Sequence, residues 1–259
     1  DLDMNVVAVG MSLDDEPELF QLFRKVTSFL RKNLGSGYEI VQEVWKNFRL
    51  LEITKKYGNE ELDIDVLVGR KHGQRNTEMQ RSYSQLDPKI RWMGILLKLW
   101  GKHVGFIVKF KMTSYAVIMM MLHYLQRRGI IGNLKVGADG NSFDVGKIYK
   151  KNFSLLKELK GFFNFYKLKG EFFKKGGRPK ISLDPAQINN FTGKGSSGLL
   201  FDIVDPFELN KNLGKVPVHE QDIMNSYFQQ ALANLLSGDS NTITSMFSPE
   251  LPSKPFMNL

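Results

Sequence analysis

Four aspartates carry the most pointed chemistry in this sequence. Asp1 and Asp3 sit in Asp1-Leu2-Asp3, and Asp63 and Asp65 in Leu62-Asp63-Ile64-Asp65-Val66-Leu67-Val68. In both runs acidic residues alternate with apolar or β-branched ones, the pattern of a short strand. Side chains two apart on a strand point the same way, so each pair shares a face. If the two strands are neighbours, three or four carboxylates converge, and such a cluster repels itself unless a divalent cation neutralises it. Carboxylate oxygens suit Mg²⁺, and two such ions can grip the attacking and leaving oxygens of a phosphoryl or nucleotidyl transfer. The plainer alternative is a pair of amphipathic strands with solvated acidic faces.

Other residues suit a nucleotide. Lys98 and Lys102 lie one turn apart on an otherwise apolar helix, with Gly94, Gly101 and Gly105 on the same side. A glycine costs a helix roughly 1 kcal/mol relative to alanine, which makes sense if a triphosphate held by the two ammonium groups must come close. Otherwise the lysines reach from a core helix into water. Thr113 or Ser114 is the natural N-cap of the next helix. A helix N-terminus also receives anions, so Ser114 can donate to a terminal phosphate, while Tyr115 can stack on a base or join the core. Asp205 and Glu208 can accept from a base N–H, or serve only at a helix N-terminus; Lys211 and Asn212 follow closely. Gly193-Lys194-Gly195-Ser196-Ser197-Gly198 lacks the residue order of a phosphate loop and reads as a flexible loop.

The elements that must position these residues fall into two groups. Residues 1–85 mix strands and helices. Asp14-Asp15-Glu16-Pro17 marks a helix start, 18–34 carries apolar residues at helical spacing, and Gly35 ends it. Segments 38–45, 48–54 and 62–68 are strand-like, with a turn at Tyr57-Gly58-Asn59, so this part reads as an α/β palm. Residues 86–236 are helical in character, with helices over 88–103, 114–128, 144–168 and 219–236. Between them lie the basic loop Lys174–Lys180 and the short apolar segment 199–204. Residues 237–259, rich in Ser, Thr, Pro and Asn, read as a loosely ordered tail.

Composition narrows the classes. The chain has 259 residues, enough for two modest cores, and 42% hydrophobic content is that of a globular protein. A net charge of +9 favours a polyanionic partner. The absence of cysteine excludes disulfides, thiolate zinc sites and cysteine nucleophiles. The four histidines show no ligand spacing. No apolar stretch is long enough to span a membrane and no signal peptide is visible, so the expected setting is intracellular, in cytoplasm or mitochondrion, without a membrane partner.

Ordered along residues 1–235, the blocks are Asp1-Leu2-Asp3, Asp65-Val66-Leu67-Val68, Asn76-Thr77 with Ser82-Tyr83-Ser84-Gln85-Leu86-Asp87, Lys98-Leu99-Trp100-Gly101-Lys102, Thr113-Ser114-Tyr115, and Asp205-Pro206-Phe207-Glu208 with Asn212-Leu213-Gly214. Together they resemble the terminal nucleotidyltransferases of the polymerase-β-like superfamily, nearest the terminal uridylyltransferases and atypical poly(A) polymerases. The resemblance implies an α+β fold: a mixed-sheet palm and a mostly helical central domain, two-lobed, with a nucleotide cleft between them. It implies that Asp1, Asp3 and Asp65 hold two Mg²⁺ (or Mn²⁺) ions, and the spacing to Asn76-Thr77 selects Asp65 over Asp63. Asn76 would contact the ribose, Lys98 and Lys102 the triphosphate, and Ser114 its terminal phosphate. Tyr115 would stack on the base, and Asp205 and Glu208 would read its edge. The implied reaction adds UMP from UTP to the 3′-hydroxyl of single-stranded RNA without a template.

Two departures qualify this. The family has a Gly-Ser element shortly before the first catalytic Asp, whereas this sequence begins at that Asp; we read it as part of a longer chain. Uridylyl-specific members commonly carry a histidine three residues after the glutamate, where this chain has Lys211. Loop length and the Asp205/Glu208 pair point to UTP, but a donor-only ammonium suits uracil O4 and adenine N1 alike. The alternatives are therefore an ATP-using poly(A) polymerase and an inactive paralogue acting as an RNA-binding scaffold. RNA contact is expected on Lys167, Lys169, Lys174, Lys175, Arg178 and Lys180, with targeting left to a protein partner or to sequence outside this chain.

Overall fold

A computed structural model of the chain describes residues 2–6, 16–44, 49–69, 71–140, 142–174, 178–191, 197–237, 243 and 246–247, with only the backbone described for 2–5, 42–44 and 71. The chain divides into two compact units, Asp1–Glu78 and Met79–Leu259.

In the first unit four strands form one mixed sheet: β1 (Leu2–Val6), β2 (Tyr38–Val44), β3 (Leu50–Tyr57) and β4 (Glu60–Val68), in the order β1-β4-β3-β2. β3 and β4 are joined by the tight turn Gly58-Asn59, where Gly58 takes a positive φ of 59°. β1 runs parallel to β4, while the other pairs are antiparallel. Alternation along β3 and β4 sends Leu51, Ile53, Val66 and Val68 to one buried face, against helix α1 (Glu16–Asn33) through Phe23, Leu22, Val26 and Leu30. Each such side chain contributes roughly 1.5–3 kcal/mol when fully buried. Beside them Val6, Phe29, Leu34 and Ile64 help to line an apolar groove of about 480 Å³. Arg49 ties the unit together, pairing with Glu16 at 3.0 Å and donating to the carbonyl of Val68 at 3.3 Å.

Helix α2 (Lys71–Leu86) follows β4 and was not anticipated as a helix. It is polar over most of its surface, and only Met79 and Tyr83, one turn apart, are buried, so no apolar stripe announces it. The second unit contains α3 (Pro88–His103), α4 (Phe106–Lys109), α5 (Ser114–Arg127), α6 (Leu155–Tyr166) and α7 (Gln221–Leu236). Two small sheets accompany them: β5 (Lys135–Val136) with β6 (Phe143–Asp144), and β7 (Lys180–Ile181) with β8 (Asp202–Ile203). Asp87 caps α3 by accepting from the Lys89 amide at 2.8 Å, with Pro88 at the first helical position. The core is aromatic. Trp100 meets Phe106, Phe163 and Phe228 at ring distances of 5.2, 4.8 and 5.8 Å. α5 and α6 are locked by Tyr124, which donates to the buried Glu158 at 2.6 Å, and by Arg128, which donates to the same oxygen at 3.4 Å. Tyr166 donates to the Met120 carbonyl, so His123 Nδ1–H is left to donate to the Tyr166 oxygen at 2.9 Å. Burial, then the nearby Arg127 charge, lowers the His123 pKa to about 4.

The expected helix over 144–168 is corrected: only 155–166 is helical. Gly146 adopts φ +67°, Ile148 bridges to Ile131, and Ser154 then caps α6. The expected start at 219 also moves, because 218–220 forms a 3₁₀ turn before α7. Among the described residues no helix is long and apolar enough to cross a membrane.

Gly69 joins β4 to α2 at φ +68°, and a Cβ there would lie 2.2 Å from the buried Leu19 Cδ2. Gly69→Ala is therefore expected to lower stability by about 2–4 kcal/mol, read from urea unfolding followed by circular dichroism. An unchanged midpoint would show that α1 yields freely at Leu19.

Candidate functional site

In the first unit the register is decisive. Leu2 pairs with Ile64, Asp3 with Asp65 and Met4 with Val66. On the antiparallel side Glu52 pairs with Asp65 and Thr54 with Asp63. Since Ile64 and Val66 face the core, Asp63 and Asp65 belong to the opposite face of the sheet. Asp63 is exposed and accepts from the Thr54 hydroxyl at 3.2 Å, whereas Asp65 is half-buried beside the register position of Asp3. The register thus sets Asp65 opposite Asp3, with Asp63 on the same face of the sheet. Asp1 lies outside the described residues, as does the side chain of Asp3. Among the described residues no group of three or more carboxylates and histidines gathers closely enough to hold a metal ion. Asn76 is half-buried on α2.

In the second unit α3 packs on α5, and α5 also packs on β7 and β8. These neighbours carry the remaining candidates. Lys98 is half-buried and Lys102 exposed, both on α3. The α3 glycines Gly94 and Gly101 have another reason than the one expected. A Cβ on Gly94 would stand 3.1 Å from Ile118 Cδ1, and one on Gly101 3.1 Å from Ile107, so both permit close packing within the unit rather than approach of a ligand. Gly105 lies in the turn after α3 with φ +78°.

Thr113, not Ser114, caps α5, accepting from the Ala116 amide at 3.1 Å. Ser114 is left half-exposed at the first turn, next to Tyr115. Tyr115 has its hydroxyl pKa pushed well above the ordinary value, by burial first and then by the carboxylates of Asp205 and Glu208. Tyr115, Asp205 and Glu208 therefore share one site. Asp205 is fully buried and accepts from the Phe207 amide at 3.0 Å. Lys211 closes the group: its ammonium donates to Glu208 at 2.6 Å and stands 4.0 Å from Asp205.

The loop bearing these groups is held at its base by Asn212, whose role the sequence reading left open. Its carboxamide oxygen accepts from the amides of Ile203 and Gly214, both at 2.9 Å, and its nitrogen donates to Asp202 at 2.7 Å. Asp202 also accepts from Arg178 at 2.6 Å. Arg178 is thereby a structural cation, and Lys180 is likewise engaged, donating to the Ile188 carbonyl and lying 5.6 Å from the Phe191 ring centre. Lys169 and Lys174 are exposed, Lys167 is half-buried, and Lys175 lies outside the described residues. The loop Gly193–Gly198 falls mostly outside them too.

Comparison with solved structures settles the fold. Terminal uridylyl transferase 4 from Trypanosoma brucei with bound CTP superposes with a TM-score of 0.63, 18% identity, and coverage of 94% of this chain and 80% of that one. The Cid1 poly(U) polymerase, in a mutant form bound to MgATP, gives 0.62 and 22%, covering 95% and 80%. Among curated sequences, terminal uridylyltransferase 4 of Trypanosoma brucei brucei is 26% identical over 125 residues, 47% of this chain and 34% of that protein. The human terminal uridylyltransferase 4 is 28% identical over 178 residues, 59% of this chain and 11% of that protein. The poly(A) RNA polymerase GLD2-B of Xenopus laevis is 27% identical over 108 residues, 40% and 21% respectively. These likenesses show the fold, and the curated proteins to which the chain is similar are terminal uridylyltransferases and poly(A) RNA polymerases. The matched region spans about a third of the trypanosomal relative's length and about a tenth of the human one's. No protein-family profile matches the chain. Its fold is the α+β fold expected from the sequence, with a mixed sheet in one unit and helices dominating the other.

Asn212→Ala removes three hydrogen bonds and leaves two buried amides and a buried carboxylate short of partners. The expected cost is about 2–5 kcal/mol in urea unfolding. A loss below about 1 kcal/mol would mean that the loop does not depend on this side chain.

Proposed function

We propose that this chain is the nucleotidyl-transfer part of an RNA 3′-terminal uridylyltransferase, adding UMP from UTP to the 3′-hydroxyl of single-stranded RNA without a template. The reading is carried by the parallel register of Asp3 opposite Asp65 in the first unit and, independently, by the grouping of Tyr115 with Asp205, Glu208 and Lys211 in the second. The 3′-oxygen attacks the α-phosphorus of UTP, the α–β bond breaks, and pyrophosphate leaves. Asp65 would accept the hydroxyl proton or direct it to solvent.

The acidic register fits a divalent-ion site, because oxygen donors on adjacent strands are what Mg²⁺ takes. Asp1, Asp3 and Asp65 would hold two Mg²⁺ or Mn²⁺ ions, which when bound neutralise triphosphate charge and acidify the attacking hydroxyl. Asn76 would contact the ribose. Lys98 and Lys102 would hold the triphosphate as point charges, and Ser114, free of capping duty, would donate to its terminal phosphate. Tyr115 would stack on the base, with Asp205 and Glu208 accepting from its N–H groups.

A second reading, transfer of AMP from ATP, is favoured by Lys211. An ammonium beside two carboxylates offers both donor and acceptors, and that combination can serve the edge of adenine as well as of uracil. The test is extension of a short single-stranded RNA in Mg²⁺ with each of the four triphosphates separately. Extension with UTP supports the reading, extension with ATP alone moves the chain to the poly(A) branch, and no extension favours a non-catalytic RNA-binding scaffold.

Two variants sharpen it. Asp65→Ala should cut nucleotide addition by about a hundredfold to a thousandfold or more while leaving the urea midpoint nearly unchanged. Retained activity there would remove Asp65 from the site. Lys211→His should raise the UTP-to-ATP ratio of kcat/KM by about tenfold, the worth of one hydrogen bond to the base. An unaltered ratio would show that Lys211 does not read it.

A further inference from the structure

Outside the site described above, the second unit presents one other surface with built chemistry, on the segment Lys147-Ile148-Tyr149-Lys150-Lys151. Lys147, Tyr149, Lys150 and Lys151 are all exposed, and Tyr149 keeps 68% of its surface in water. The backbone beneath them is fixed. Gly132 N–H donates to the Lys147 carbonyl at 2.8 Å, Tyr149 N–H donates to the Ile130 carbonyl at 2.8 Å, and Ile148 bridges to Ile131 and packs on the core. Strand-like alternation therefore turns Ile148 inward and its neighbours Lys147 and Tyr149 outward.

Lys89 joins the patch from α3, donating to the Lys151 carbonyl at 3.3 Å with its ammonium 5.2 Å from the Phe153 ring centre. Among the described residues none of Lys147, Lys150 and Lys151 forms an ion pair. The nearest carboxylate in sequence, Asp144, accepts from the Gly146 amide at 2.9 Å. Lysines flanking a rigidly mounted, water-exposed aromatic ring make the combination that grips single-stranded nucleic acid: ammonium groups follow the phosphates while a base stacks on the ring.

We propose that Lys147, Tyr149, Lys150 and Lys151 form a docking surface for single-stranded RNA, engaging nucleotides other than the one being extended. That the strand is the reaction's own acceptor rests on the proposed transferase reading; the surface itself does not. Stacking on Tyr149 is indifferent to base identity, since every base offers a π face, so the surface contributes affinity and not sequence choice.

The test uses the full chain, a fluorescein-labelled oligouridylate of about 15 nucleotides, long enough to fill such a groove, and a uridine dinucleotide as minimal acceptor. Tyr149→Ala should weaken oligouridylate binding by about tenfold in fluorescence anisotropy. Lys150→Glu with Lys151→Glu should weaken it further and flatten the dependence of log K on log salt by about 0.7 per lost phosphate contact. Extension of the dinucleotide should be unchanged in both, because the surface is proposed to engage nucleotides other than the one being extended. Binding within twofold of the unmodified chain in both variants would overturn the proposal, as would capture of phosphatidylserine vesicles in place of RNA. If the unmodified chain extends no acceptor yet binds RNA through Tyr149, the transferase reading fails and this surface stands. If it extends RNA while both variants bind normally, the surface fails and the transferase reading stands.

Discussion

The parallel pairing of β1 with β4 is the constraint on which the acidic face of the first unit depends. The register sets Asp3 opposite Asp65, and nothing in the local sequence dictates that pairing. It is sustained because the other face of the same strands is apolar. Val66 and Val68 are buried with Leu51, Ile53 and Phe23, so a slip of one residue would send that face into water and the acidic one into the core. Hydrophobic burial on one side of the sheet thus fixes the register of the residues on the other. Arg49 adds to this by tying the start of β3 to both α1 and the end of β4.

A different economy governs the Tyr115 end. Asp205 is wholly buried and Glu208 partly so, and carboxylates in such places need donors. Backbone amides and Lys211 supply them, while Asn212 organises the chain below by satisfying two amides and a carboxylate at once. Lys211 thereby neutralises the acidic pair through a flexible ammonium, which constrains hydrogen-bond direction less than a planar donor does.

The second unit also separates cations by task. Arg178 is held by Asp202, Lys180 by a carbonyl and an aromatic ring, and Arg128 by Glu158. The lysines at 147–151 stand on a rigid backbone without such partners among the described residues. Net charge alone cannot make this distinction, because a cation that staples a loop and one that meets a phosphate count equally in the total.

By itself the sequence determined the strand character of the acidic runs, the limits of α3, the start of α1 within two residues, and the order of the family blocks, because alternation, capping residues and breakers act locally. It also ruled out cysteine chemistry outright. Tertiary structure decided the rest. It set Asp65 opposite Asp3, assigned the cap to Thr113 and so released Ser114, and explained Gly94 and Gly101 by neighbouring isoleucines rather than by a ligand. It tied Arg178 to Asp202 and mounted Tyr149 on a fixed backbone in water. The physical reason is the same in each case: these roles are set by contacts between residues far apart in the chain, and no local pattern encodes which distant partner will be there.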